Sequence, residues 1–267
     1  APAGGAAIMP RAVRVGRGGV ATVAYGPGGG VIVTTGEDGV HLFATDGRPV
    51  GSLSGHTDVV DGAEFSPDGR LLASAGLDGK VLLWDVDSRS VVATLKSGEP
   101  FVHHVAFSAD GRLLATGSDD GAVLLWDLAG GAGPVLLDGH QQTVYDVAFS
   151  PDGRLLASAG GDGRVLLWDV AQRSAVGELA GHSAVVNAVA FSPDGRYLAS
   201  GGLDQTAVVW DVAARSRWAT LTGPEDIISG LAFAPDGRSL AAACGDHTVV
   251  RWPLDPEVAA DQLRGVG

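Results

Sequence analysis

Residues Phe149–Val170 read FSPDGRLLASAGGDGRVLLWDV, and this stretch decides the fold. Ser150-Pro151-Asp152-Gly153 is a tight-turn sequence. Pro presets φ at the first corner, Asp suits the second, and Gly takes the left-handed position. Leu155 to Ala159 follows as a strand, Asp162-Gly163 turns the chain again, and Val165 to Trp168 is the next strand. Upstream, Thr143 to Phe149 is a short run rich in β-branched and aromatic residues. Downstream, a polar loop at Ala171 to Ser174 leads to a weaker strand at Ala175 to Leu179. The unit is a four-stranded antiparallel meander.

The unit recurs. FSPDGRLLASAGLDGKVLLWDV starts at Phe65, FSADGRLLATGSDDGAVLLWDL at Phe107, and FSPDGRYLASGGLDQTAVVWDV at Phe191. The opening aromatics are Tyr25, Phe65, Phe107, Phe149, Phe191 and Phe233, spaced by 40 residues and then 42 four times. The closing aromatics are Phe43, Trp84, Trp126, Trp168, Trp210 and Trp252. A strict period of this size marks supersecondary modules that lean on their neighbours. Strands rich in Val and Leu on both faces must be covered on both faces. Stacking the sheets in a ring does this and leaves only short edges. The expected fold is therefore all-β, a six-bladed β-propeller of four-stranded antiparallel blades. A helical solenoid fits poorly, because a turn signal interrupts every 10 to 12 residues and no 3.6-residue apolar period persists.

Composition narrows the function. With 267 residues, 45% hydrophobic, the repeats fill the chain as one domain. Residues 8–267 are expected to form the propeller and residues 1–7 a remnant of linker. The 41 glycines suit a fold of many tight turns. A net charge of −13, with Lys80 and Lys96 the only lysines, gives no basic stripe for nucleic acid and none for anionic membranes. Cys244 is the sole cysteine, which excludes an intrachain disulfide and suits a reducing, cytoplasmic setting. The Ala-, Gly- and Arg-rich, Lys-poor composition points to a high-GC bacterial source.

Gly-His, Ser-Pro-Asp-Gly and a closing Trp-Asp at this spacing resemble the WD-repeat β-propeller family, over about nine-tenths of the chain. The resemblance implies a hydrogen-bonded tetrad within a blade. The matching sets are His56, Ser74, Asp78 and Trp84; His140, Ser158, Asp162 and Trp168; and His182, Ser200, Asp204 and Trp210. The other copies depart from it. The third has Gly98 for His and keeps Thr116, Asp120 and Trp126. The sixth has Pro224 and Ala242, and the first has Gly16 and Phe43. These blades are expected to be looser, above all the first and sixth, which must meet to close the ring. The resemblance implies closure by a terminal strand. Two segments, Ile8–Val15 and Val258–Leu263, share the register of that outer slot. The N-terminal one is the more apolar, and its Pro10 is tolerable on an edge.

Catalytic signatures are thin. No phosphate loop, H-E-x-x-H or C-x-x-C occurs. The Asp-Gly pairs fall at hairpin turns and lack the calcium-loop series. His103 and His104 adjoin in a strand and point to opposite faces, so they cannot grip one metal. No cofactor and no catalytic residue is expected, and Cys244 reads as a buried thiol. Trp218 reads as edge packing or as a surface anchor.

Function is sought where the copies differ. Four residues before the opening aromatics stand Ala21, Asp61, His103, Tyr145, Asn187 and Ser229. Before the turn Asp stand Glu37, Leu77, Asp119, Gly161, Leu203 and Gly245. In the resembled family this end of the ring is the usual partner-binding face. Asp61, His103, Asp119, Tyr145, Asn187 and Ser229, with Leu77 and Leu203, make a candidate rim: polar, with aromatic and apolar anchors. Ordinary solvated loop variation is the alternative. The expected function is a non-enzymatic scaffold or sensor module, monomeric, part of a larger signalling protein and binding a protein or peptide. The rivals are a small-molecule or catalytic site in the central channel, and self-assembly.

Overall fold

The computed structural model describes residues 19–96, 98, 101–130 and 133–254. It is all-β, a six-bladed propeller. Five blades have four antiparallel strands paired in sequence order. The fourth, for example, runs Val144–Phe149, Leu155–Gly160, Val165–Asp169 and Ser174–Leu179. The sixth shows three strands among the described residues, Ile228–Phe233, Ser239–Cys244 and Val249–Pro253. Both segments expected to compete for its outer strand, and the expected linker at residues 1–7, lie outside the described residues.

The turn chemistry forms as the residue types dictate. In the second blade the Ser66 hydroxyl donates to Asp68 Oδ1 at 2.6 Å and accepts the Leu71 N–H at 2.9 Å. Gly69 sits at φ +71°, where a side chain would be strained. The same arrangement recurs at Ser108, Ser150 and Ser192.

The first strands lie innermost, and at the five junctions from the first blade to the sixth each lies beside the first strand of the next blade. Each also carries a β-bulge at one repeated place. The pairing steps from Val60–Gly76 to Gly62–Ala75, from Val144–Gly160 to Asp146–Ala159, and likewise in the other blades. The residues left unpaired are Ala21, Asp61, His103, Tyr145, Asn187 and Ser229. They are the variable positions of the candidate rim. A bulge re-aims the extra side chain and sharpens the local twist.

The core is divided into five clusters, each between consecutive blades. In the first, Val33, Val40 and Leu42 pack against Ala63, Phe65, Leu72 and Trp84. Burying such side chains contributes about 1.5–3 kcal/mol each. Cys244 is buried in the last cluster. Trp218 is half-buried there, its ring 4.9 Å from that of Tyr197. No helix among the described residues is long and apolar enough to cross a membrane.

Candidate functional site

The second, fourth and fifth blades hold their polar sets at hydrogen-bond distance. His140 reaches Asp162 through Nδ1 at 3.0 Å and Ser158 through Nε2 at 2.8 Å, and the Trp168 indole donates to Ser158 Oγ at 2.8 Å. His56, Asp78, Ser74 and Trp84 repeat this, as do His182, Asp204, Ser200 and Trp210. Each Asp also accepts the backbone N–H that follows its His. Burial opposes ionisation of Asp78, Asp162 and Asp204. The backbone donors and the His side chains outweigh it and hold all three below the ordinary carboxylate range. Ser158 Oγ sits inside the sheet with both neighbours engaged, so these sets are built for cohesion.

The other blades solve the missing histidine differently. In the third, Ser118 takes the place of Gly76 and Gly160, and its hydroxyl donates to Asp120 Oδ1 at 2.6 Å. In the sixth, Cys244 stands there and the Trp252 indole turns to the Thr222 carbonyl at 2.9 Å. In the first, Thr34 Oγ1 is buried without a partner among the described residues.

The bulged residues face the axis. His103 Nδ1 is 2.9 Å from Asp61 Oδ2, and its Nε2 is 3.7 Å from Asp119 Oδ1. The Tyr145 ring stands 5.4 Å from the His103 ring. Asp119 also accepts the Thr143 hydroxyl at 2.8 Å. Four of the rim residues expected from sequence thus form one connected group spanning the second, third and fourth blades. Asn187 and Ser229 line the same axial cavity, of about 850 Å³, but bond elsewhere. Asn187 donates to the Ile228 carbonyl and Ser229 to the Ala243 carbonyl. Leu77 and Leu203 do not line the cavity. Leu203 is exposed at its mouth-side turn and Leu77 half-buried at the equivalent one.

Below this group lies a second layer that the sequence reading missed. Glu64, His104 and Asp146 line the same cavity. His104 Nδ1 is 2.8 Å from Asp146 Oδ1, whose other oxygen accepts the Val189 N–H at 2.8 Å. Glu64 accepts the Phe107 N–H at 2.5 Å. Burial pushes the Glu64 carboxyl up to about 7, against the pull of that N–H and of His104. Burial would lower His104, but the Asp146 charge and hydrogen bond, with Glu64 and Asp61, outweigh it and raise it to about 9. Gly62 makes room: a Cβ there would meet the His103 carbonyl at 2.8 Å. The signal was available, since the residue before the opening aromatic is Ala in five copies and Glu in one. His103 and His104 take separate carboxylates, Asp61 and Asp146, but both line the one cavity: the bulge at His103 breaks the strict alternation of faces expected of adjacent strand residues. Among the described residues no three potential ligands gather as a metal site needs.

Five segments, residues 47–85, 89–127, 134–169, 173–211 and 216–252, match the family model described as WD domain, G-beta repeat. Short stretches are similar to curated proteins. The chain is 32% identical over 73 residues to the Target of rapamycin complex subunit LST8 of Saccharomyces cerevisiae, covering 26% of this chain and 24% of that protein. It is 44% identical over 43 residues to Small ribosomal subunit protein RACK1 of Candida albicans, 16% of this chain and 14% of that protein. It is 39% identical over 57 residues to Protein HIR1 of Candida albicans, 21% of this chain and 6% of that protein. The matches span about a quarter or less of each relative.

Proposed function

We propose, from the premise that this chain belongs to the WD40 repeat family (WD domain, G-beta repeat), that it is a non-catalytic interaction module gripping a protein or peptide at its bulged rim. The observation that carries this reading is the coincidence of bulge and variation. Five positions with unlike side chains, Asp61, His103, Tyr145, Asn187 and Ser229, are the unpaired residues of five bulges, all at one repeated place on the innermost strands. A rigid ring with a variable inner rim is suited to recognition, since ordering costs little on binding. The His103–Tyr145 contact with Asp61 and Asp119 offers an aromatic anchor amid acceptors, and Leu77 and Leu203 add apolar contacts at the periphery. Two relatives carry names that place them in assemblies, a rapamycin-target complex and a ribosomal subunit. The net charge of −13 favours a protein partner over nucleic acid. The module is read as a cytoplasmic, monomeric part of a larger signalling protein. Capture from source lysate, repeated with Tyr145→Ala and His103→Ala, tests it. Partners should be lost from both variants, and retention in both would sink the rim assignment.

A second reading has its own observation. Glu64 titrates near neutrality in a cavity of about 850 Å³ beside His104 and Asp146, which suits a small-molecule site in the channel. A fragment screen by NMR, with shifts confined to Glu64, His104 and Asp146, would support it. Shifts elsewhere, or none, would remove it.

A further inference from the structure

The residue before each opening aromatic belongs to an innermost strand. It is Ala24, Ala106, Ala148, Ala190 and Ala232 in five copies and Glu64 in the second. Ala106, Ala148, Ala190 and Ala232 line the axial cavity with Glu64. Burial there opposes ionisation of the Glu64 carboxyl. The protein supplies it with one hydrogen-bond donor, the Phe107 N–H on Oε2, and no donor among the described residues reaches Oε1.

Three carboxylates, Asp61, Glu64 and Asp146, share this cavity with two imidazoles. His103 is taken by Asp61 and His104 by Asp146. Glu64 is the carboxylate left without an imidazole of its own. The rest of the wall at its level is small and apolar, the four alanines, with Phe149 and Phe191 also on the cavity.

Charge is segregated along the axis. At the rim end Glu37, Asp58, Asp119, Asp120, Glu225 and Asp246 are exposed. The cations there, Lys80 and Arg164, are held by the tetrad acids Asp78 and Asp162. At the opposite end each turn Asp from Asp68 to Asp236 is followed two residues on by an Arg. The ring therefore draws cations to its rim end, where the bulged residues line the cavity.

We propose that the lower layer of the axial cavity is a site for a small organic ammonium ion, held by Glu64 with its apolar body against the alanine wall, an assignment that rests on the channel being a small-molecule site. The chemistry of the wall rejects the other classes. An anionic ligand would meet three carboxylates. A metal ion needs three converging ligands, and the described residues gather none such. A neutral ligand would leave the Glu64 charge uncompensated beside an apolar wall. A primary ammonium brings N–H donors and the opposite charge together.

The test is NMR titration of the chain with three probes of one shape: phenethylammonium, phenethyl alcohol and hydrocinnamate. Shifts are read at the backbone amides of Glu64, His104 and Asp146. Phenethylammonium should shift all three and bind at least about tenfold tighter than the alcohol. Hydrocinnamate should shift none. Glu64→Gln keeps an acceptor for Phe107 and removes the charge. It should bring the ammonium down to the affinity of the alcohol and leave the alcohol unaltered. The comparison of probes on the unsubstituted chain decides the matter even where that variant does not fold. The proposal falls if the alcohol or hydrocinnamate binds as tightly as the ammonium, and the channel then remains a small-molecule site of another class. It also falls if Glu64→Gln binds the ammonium as tightly as the unsubstituted chain does. If no probe shifts these amides, the proposal falls together with the channel reading.

Discussion

Glu64 of the second blade holds the backbone N–H of Phe107 in the third at 2.5 Å, a bond between residues 43 apart in sequence. Asp146 does the same for Val189 across the fourth and fifth blades, and His104 bridges to Asp146. Innermost strands have one edge without a ladder partner, and these acids supply it in a cavity where an unmet donor is costly. The axis is thereby stapled from the second blade to the fifth.

This staple sets a pH dependence. Glu64 titrates at about 7 in the folded chain, above the ordinary 4.5, so its contribution is full below about 4.5 and is lost as pH rises through 7. His104 titrates at about 9, above 6.5, so its contribution is full below 6.5 and is lost as pH rises through 9. The tetrad acids Asp78, Asp162 and Asp204 are depressed, so theirs is present above about 3.8 and is lost on acidification. Stability should peak near pH 4–5 and fall by about 1–3 kcal/mol by pH 9. Denaturant midpoints across this range check it. Glu64→Gln, which keeps an acceptor for Phe107, should flatten the decline between pH 5 and 7 and leave the decline above pH 8.

Ser158→Ala removes the atom shared by His140 and the Trp168 indole, both buried. Two unsatisfied groups should cost about 2–4 kcal/mol. Thr34→Val at the equivalent place in the first blade removes a hydroxyl that already lacks a partner among the described residues. It should be neutral or stabilising. Urea midpoints of the two variants, compared directly, decide whether the first blade does without a tetrad.

Gly160→Ala would place a Cβ 2.5 Å from Asp162 Oδ1 and closer still to His140 Nδ1. Neither neighbour can withdraw without breaking its bonds, so a loss of about 3 kcal/mol or more is expected. In the third blade, which lacks that histidine, Ser118→Gly should cost about 1 kcal/mol through the hydroxyl's bonds to Asp120 and the Ala122 carbonyl. Equal effects of the two changes on thermal unfolding would mean that the third blade holds its Asp otherwise.

The blade plan was legible because turn chemistry and closing aromatics are local and repeat. Pro151-Asp152-Gly153 and Trp168 announce their roles within a few residues. The bulge was not legible, because it is a property of register between two strands and no residue type marks it. Asp61, His103 and Tyr145 could be aligned by position, but that they are the unpaired residues is visible only in the pairing. Glu64 went unread for a related reason, since its partner lies in the next blade. The two segments read as candidates for the sixth blade's outer slot lie outside the described residues.

The central claim is that recognition happens at the bulged inner rim. The most direct measurement is hydrogen–deuterium exchange of the chain with and without a captured partner bound. Protection should gather at Asp61, His103, Tyr145 and Asn187 and at the turns holding Leu77, Asp119 and Leu203, with the outer strands such as Ser90–Lys96 and Ser174–Leu179 unchanged. Protection on the outer strands with the rim unaltered would contradict the account.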